Sequence, residues 1–359
     1  MRFYLVLGIA VLLVAAVGCS SAAPASPTAT TAAAKPASTQ AAQPASGAAA
    51  KTVELRAGSS DAPDAPNSVA MFKFAEIVNA KSKGALNVKV FPQSLGVEQQ
   101  LTQSVMDGSV DMGQCSNGNI GRFTDSFFVF DLPFVFKTYD NGLKAMVGPS
   151  GAPLLARYEK DLGIKHLFVN SYGSGRDIET TKKQVRVPAD LKGLKMRVVS
   201  TPVDMSIFKA WGANPTGVDW AQMYTALQQG IVDGMQNSAV ALIPNKHHEV
   251  LKYVLRLEYQ PIFELNFINR KLFDSLSPDN QKILMDSASE AQAWDWKYKQ
   301  ELVGKTFKDL EAAGLVITTP TKEERVQWTS VREKVWQEVG EEYKGKLDLN
   351  LAKQMYEGE

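Results

Sequence analysis

The sequence is short of the side chains that carry out chemistry. Its 359 residues include two cysteines, Cys19 and Cys115, and three histidines, His166, His247 and His248. Two thiols cannot build a disulfide framework or a cysteine-rich metal site. The run Lys246-His247-His248-Glu249 lacks the spacing of a helical zinc pair, so no metal site is expected. There is no Gly-x-Ser-x-Gly elbow and no Gly-x-x-x-x-Gly-Lys-Ser/Thr loop, and Tyr172-Gly-Ser-Gly175 lacks the third glycine of a dinucleotide fingerprint. No cofactor is implied. A formal net charge of +1 without a basic block argues against nucleic acid as a partner. After the N-terminus no apolar run is long enough to cross a bilayer. Carboxylates are plentiful, and most are expected to be solvated surface charges. An acid/base pair stays open, but the scarcity of histidine leaves no positive signal for an enzyme.

The chain begins with a compartment signal. Arg2 precedes an apolar run, Leu5 to Val17, that is shorter than the roughly 20 residues of a transmembrane helix and fits the core of a secretory signal. Ala16-Val17-Gly18-Cys19 resembles a bacterial lipobox, although Ala16 stands where leucine is more usual. That resemblance implies a lipoprotein signal peptide over residues 1–18 and a diacylated Cys19 as the mature N-terminus. A plain cleaved signal with an incidental cysteine is the alternative. Residues 19–50 carry almost only Ala, Ser, Thr, Pro, Gln, Gly and Lys. Without large apolar side chains they cannot offset their ordering entropy, so they are expected to form a disordered tether between lipid and folded body. Two acyl chains would give a stable membrane anchor.

The remainder, from about Lys51, is long enough for two domains. Its pattern predicts strands at Val53–Gly58, Leu86–Phe91 and Val110–Gly113, with helices over Val69–Lys83 and Gln99–Met106 between them. Further strands are predicted at 164–170, 194–199, 231–234, 263–269 and 315–319. Helices are predicted at 203–211, 220–229 and 323–343. Ser277-Pro278 reads as the cap and first turn of a long helix reaching about Ala313. Strands alternating with helices specify an α/β fold with largely parallel sheets.

Three segments are distinctive in combination. The first is Phe91-Pro-Gln-Ser-Leu-Gly96 followed by Met106-Asp-Gly-Ser-Val-Asp-Met-Gly113. The second is Gly175-Arg176 followed by Val187-Pro-Ala-Asp-Leu-Lys-Gly-Leu-Lys-Met-Arg-Val198. The third is Gly212-Ala-Asn-Pro215 followed by the run from Met223 to Asn237. In this order, with Asp131-Leu-Pro-Phe134, they resemble the DctP-type solute-binding proteins of tripartite ATP-independent periplasmic (TRAP) transporters. The resemblance covers nearly all of 51–359. It implies a two-lobed periplasmic solute-binding protein fold with a ligand cleft between lobes and a long lobe-spanning helix. Lobe I would be 51–174 plus 263–302, and lobe II 175–262 plus 303–359.

The resemblance also implies a site. Arg197 matches the family's carboxylate-binding arginine in the Leu-Lys-x-Arg-Val strand. Independently, a cation in so apolar a strand should be paired, and a guanidinium suits bidentate carboxylate binding. An internal salt bridge or an outward-facing side chain are the alternatives. Arg176 matches a second ligand-contacting arginine, and Asn237 the family's binding asparagine. Around Asn237, Gln236 and Ser238 replace the Glu and Pro of the commoner family form. Ser59, Ser116 and Asn117 fall at strand ends, where open α/β sheets bind ligands. Glu98 would suit a ligand hydroxyl or amine, and Tyr172 could cover the ligand. For each of these, a local packing or hydrogen-bonding role is the alternative. Cys115 and the phenylalanines from Phe127 to Phe136 are expected to be core.

The expected function is an extracytoplasmic receptor that binds a small organic acid without chemistry and delivers it to the small and large TRAP membrane subunits, driven by an ion gradient. A monomer, exported and lipid-anchored, is expected. A sensory receptor of the same fold feeding a membrane kinase is the alternative, and an exported α/β enzyme a further one. The identity of the acid is left open.

Overall fold

The computed structural model describes residues 51–358. The signal segment, Cys19 and the tether lie outside the described residues. Eleven strands run in chain order: β1 (Val53–Ser59), β2 (Leu86–Pro92), β3 (Met112–Ser116), β4 (Ile164–Ser171), β5 (Asp177–Thr180), β6 (Lys195–Val198), β7 (Asn214–Gly217), β8 (Gly234–Asn237), β9 (Tyr253–Leu255), β10 (Phe263–Asn269) and β11 (Val316–Thr318). They form two sheets. The first has the order β2-β1-β3-β10-β4 and the second β11-β9-β5-β8-β6-β7.

The predicted parallel pairing holds for β1 with β2 and β3, and for β6 with β7 and β8. Each sheet also has one antiparallel strand among its neighbours. β10 runs against β3 and β4, and β5 against β8 and β9. These are strands that enter a sheet directly from the other one. The chain crosses between the sheets after β4, after β9, and along the helix that precedes β11.

That helix, Pro278–Ala312, spans 35 residues, or about 50 Å at 1.5 Å per residue. Ser277 Oγ accepts from the Asn280 amide at 3.3 Å, and Pro278 occupies the first turn as predicted. Leu284, Ala288 and Ala291 pack into a core with β1, β2 and the helix Pro66–Lys81. Phe307 and Leu310 pack into a different core, with Met235, Leu251 and Val254 of the second sheet and its surroundings. One rigid element is therefore seated in both cores. Between them, Asp295 and Lys299 are fully buried and lie 3.0 Å apart. Both hold the first crossover: Ser171 donates its N–H to Asp295 Oδ2 (2.7 Å), and Lys299 Nζ donates to the Ser171 carbonyl (2.7 Å). Two residues on, Gly173 has φ +75°, and a Cβ there would lie 2.6 Å from Val303 and 2.9 Å from the Lys299 carbonyl, so only glycine fits.

The phenylalanines from Phe127 to Phe136 and Cys115 are buried in the largest apolar cluster, as expected. Several element boundaries differ from the sequence reading. β3 begins at Met112 because the Val110 N–H turns back to the Ser104 carbonyl. β8 begins at Gly234 because the Ile231 amide is used to close the preceding helix on Ala226. The predicted 220–229 helix is a 3-10 turn (Trp220–Gln222) followed by a short helix (Met223–Gln228). The 323–343 helix is two helices, broken at Ser330-Val331, with another at Leu349–Glu357.

Candidate ligand-binding cleft

A small cavity, about 300 Å³ including the space open to solvent at its mouth, lies between the two sheets. From the second sheet come Arg176, immediately before β5, Arg197 on β6, Val199 and Asn237 at the end of β8. From the first come Glu98, Ser116 and Asn119. Tyr172 and Ile262, on the two crossovers, and Trp220 complete the wall.

Arg197 is 3% exposed. Its Nε donates to the Val218 carbonyl at 2.8 Å, and its guanidinium lies 5.9 Å from the Trp220 ring centre. Arg176 is 2% exposed, and its Nη1 donates to Gln236 Oε1 at 2.7 Å, while its Nε has no protein partner. Among the described residues neither guanidinium has a carboxylate within 4.0 Å. Burial and then the charge of Arg176 push Arg197 down to about 10, so it stays cationic at neutral pH. The acids nearest these cations are themselves driven toward the neutral form. Burial raises Asp204 and Glu179, and raises Asp131 to about 8.

Across the cavity Glu98 is held by one oxygen. Its Oε2 accepts from the Ser116 amide (3.0 Å), Ser116 Oγ (2.8 Å) and Asn119 Nδ2 (2.8 Å). Asn237 Oδ1 accepts from the Ser238 amide at 2.8 Å. Tyr172 donates its hydroxyl to the buried Glu264 at 3.0 Å and is part of the cavity lining. Trp220 spans the cleft: its indole N–H donates to Asp61 Oδ1 at 2.9 Å, and its ring meets His247 edge-on at 4.7 Å between centres. Arg122 and Asp219 form a second bridge across the cleft at 3.4 Å. A wider depression of about 750 Å³ lies on the other side of Trp220, lined by Ser60, Tyr224, Asn245 and His247 among others.

Of the candidate residues, Arg197, Arg176, Asn237, Tyr172, Ser116 and Glu98 meet at this one cavity. Two do not reach it. Asn117 is fully buried with both ends of its amide used, Nδ2 on Asp131 (2.6 Å) and Oδ1 on the Phe263 amide (2.9 Å). Ser59 is engaged by Ser68, Gln114 and the Asp61 amide. Strand-end position alone does not tell which side chain faces the cleft. Sequence reasoning also missed Trp220, Asn119, Val199 and Ile262. Asn119 was findable, since it follows Ser116 by three residues in the turn leaving β3. Nothing in the polar surroundings of Trp220 marks it.

Residues 57–343 match the family described as bacterial extracellular solute-binding protein, family 7, the DctP family. The chain is 31% identical over 269 residues to the 2,3-diketo-L-gulonate-binding periplasmic protein of Escherichia coli, covering 74% of this chain and 80% of that one. It is 30% identical over 283 residues to the C4-dicarboxylate-binding periplasmic protein of Rhodobacter capsulatus, covering 78% and 84%. The solved structure of the sugar-acid-binding protein from Advenella mimigardefordensis in complex with galactonate superposes with a TM-score of 0.79 at 27% identity, covering 86% of this chain and 97% of that one. These relatives are binding proteins. With two α/β lobes closed on a polar cavity and a match across most of its length, the chain belongs to the DctP family of bacterial extracellular solute-binding proteins.

Proposed function

We propose that this protein is an exported receptor, anchored to a membrane through a lipidated Cys19, that captures a small organic acid and passes it unchanged to the membrane subunits of a TRAP transporter. The observation that carries the reading is the pair of buried guanidiniums, Arg176 and Arg197, lining the cleft cavity without a protein carboxylate in contact. Burying a cation without a partner is costly. A ligand carboxylate would remove that cost, so affinity arises where charge is missing. Two guanidiniums can also present several N–H groups in the plane of a carboxylate.

In this mechanism the acid enters an open cleft and meets the arginines on the second sheet. Closure brings Glu98, Ser116 and Asn119 from the first sheet onto its other end and forms the Trp220–Asp61 bridge. The ligand contacts both sides only in the closed state, so it shifts the population toward that state. Expulsion of water strengthens the ion pairs. The closed body is then the form recognised by the membrane subunits. The names of the relatives, which include binders of a diketo acid and of C4-dicarboxylates, support an acid ligand and a periplasmic location.

The test is Arg197→Ala, assayed by thermal shift and calorimetry against a panel of organic acids. Binding should be lost while the circular dichroism spectrum is unchanged. A folded variant that keeps full affinity for an acid bound by the wild type would remove Arg197 from the role.

A further inference from the structure

Beside the two arginines lies a cluster of buried carboxyl groups that the capture of an acid leaves unused. Asp131, in the loop before the helix Tyr139–Val147, and Asp204, in the first turn of the helix Pro202–Ala210, are 2% and 1% exposed. Neither is among the residues that line the cleft cavity. Asp131 Oδ2 and Asp204 Oδ1 are buried and take no hydrogen bond among the described residues.

Asp131 is built into the same frame as Arg176. The Arg176 N–H donates to the Gln260 carbonyl (2.8 Å), and the Tyr259 N–H donates to the Arg176 carbonyl (3.1 Å). Gln260 in turn donates its side-chain amide to the Asp131 carbonyl. Asn117 donates to Asp131 Oδ1 at 2.6 Å. Gly118, the next residue, lies against the guanidinium, since a Cβ there would sit 3.3 Å from Arg176 Nη2.

A carboxyl group sealed from water answers to the charges around it. Burial and then Asp204 push Asp131 up to about 8, while Arg176 and Asn117 pull the other way. Burial raises Asp204 too, against Arg176, Gln260 and Arg197. Glu179 on β5 and Tyr259 are the other titratable groups that feel these arginines. A ligand carboxylate on Arg176 and Arg197 would set a negative charge against the same cations. It would cancel the pull of Arg176 on Asp131, and the proton affinity of Asp131 would rise.

Resting on the acid-binding role proposed above, we infer that Asp131 is a positioning residue that couples capture of the acid to uptake of a proton. As the ligand carboxylate pairs with Arg176, Asp131 takes a proton from solvent, and one negative charge replaces another beside the guanidinium. Where Asp131 already holds its proton in the empty receptor, affinity does not depend on pH. Where it has lost that proton, affinity falls as pH rises.

The experiment is titration calorimetry of the folded wild-type protein with D-galactonate, D-gluconate, pyruvate and succinate, in phosphate, HEPES and Tris at pH 8. All four acids are ionised there, so the dependence of the heat on buffer ionisation enthalpy counts protons moved by the protein. An acid that binds should bring with it roughly half a proton, and its Kd should weaken roughly tenfold from pH 7 to pH 9. Arg197, at about 10, titrates above that range. Asp131→Asn keeps an acceptor for Asn117 and removes the titration, so the uptake and the pH dependence should both vanish. Acid binding by the wild type with no proton uptake and a flat Kd overturns the inference, without any variant having to fold, and leaves the acid receptor standing. Uptake undiminished in Asp131→Asn, with its fold verified by circular dichroism, does the same. Binding of none of the four acids overturns both.

Discussion

Trp220 and Asp61 join the two halves of the cleft through one hydrogen bond of 2.9 Å from indole N–H to carboxylate Oδ1. The same indole lies over Arg197 and against His247. Arg197 and the cross-cleft bridge therefore meet at one side chain.

Asp61 is buried, and that burial pushes its carboxyl up to about 6, although Asn67 and Trp220 donate to it. Its unfolded value is near 3.8, so between pH 4 and 6 the closed fold holds a proton that the unfolded chain has released. Stability from this group is accordingly greatest at the acid end and falls as pH rises through 6. By about 1.4 kcal/mol per unit the change is on the order of 3 kcal/mol. Asp61→Asn keeps the carbonyl acceptor for Trp220 and removes the titration. The variant should gain on the wild type from pH 4 to 6 and run parallel above. Thermal unfolding of both proteins across that range checks this, and a constant difference would contradict it.

Gln236 accepts from Arg176 at 2.7 Å. The neutral amide orients the guanidinium and leaves its charge unspent. Gln236→Glu should turn that contact into an internal ion pair and weaken acid binding roughly tenfold or more. Titration calorimetry of the variant, with its fold verified by circular dichroism, gives the answer. Equal or tighter binding would show that Arg176's charge does not act on the ligand.

Asn117 ties the turn after β3 to Asp131 and to the start of β10. Asn117→Ala should cost ~1–3 kcal/mol by leaving buried groups unpaired. The ligand-induced rise in melting temperature should persist. Loss of that rise with no loss of basal stability would instead make Asn117 a contact residue.

Lys299 and Asp295 form a fully buried pair on one helix. Lys299→Ala leaves a buried carboxylate without its cation, for an expected loss of about 3–5 kcal/mol. Lys299→Met with Asp295→Leu should recover part of it. Urea denaturation of the single and double variants measures both, and a single variant within 1 kcal/mol of wild type (roughly the worth of an exposed pair) would contradict the burial argument.

Much of the fold was legible because local signals agreed. β1, β2 and β10 alternate apolar with polar residues, β4 carries Leu-Phe-Val, and the long helix has both its serine cap and its proline where the sequence put them. β5, β7 and β9 were not read. β5 is Asp-Ile-Glu-Thr with every side chain buried, so its acids hid a central strand behind a surface-like pattern. The site divides in the same way. Arg197 was conspicuous as a cation in an apolar strand. Trp220 gave no signal, because its importance comes from Asp61 in the loop after β1, far away in sequence.

The helix Pro278–Ala312 fixes what kind of motion the receptor can make. Its early turns are embedded with Leu284 and Ala291, and its late turns with Phe307. Any opening that separated the two cores would therefore have to bend this helix between Ala291 and Phe307 or pull one of its ends out of its core, as a strut fixed at both ends resists a hinge beside it.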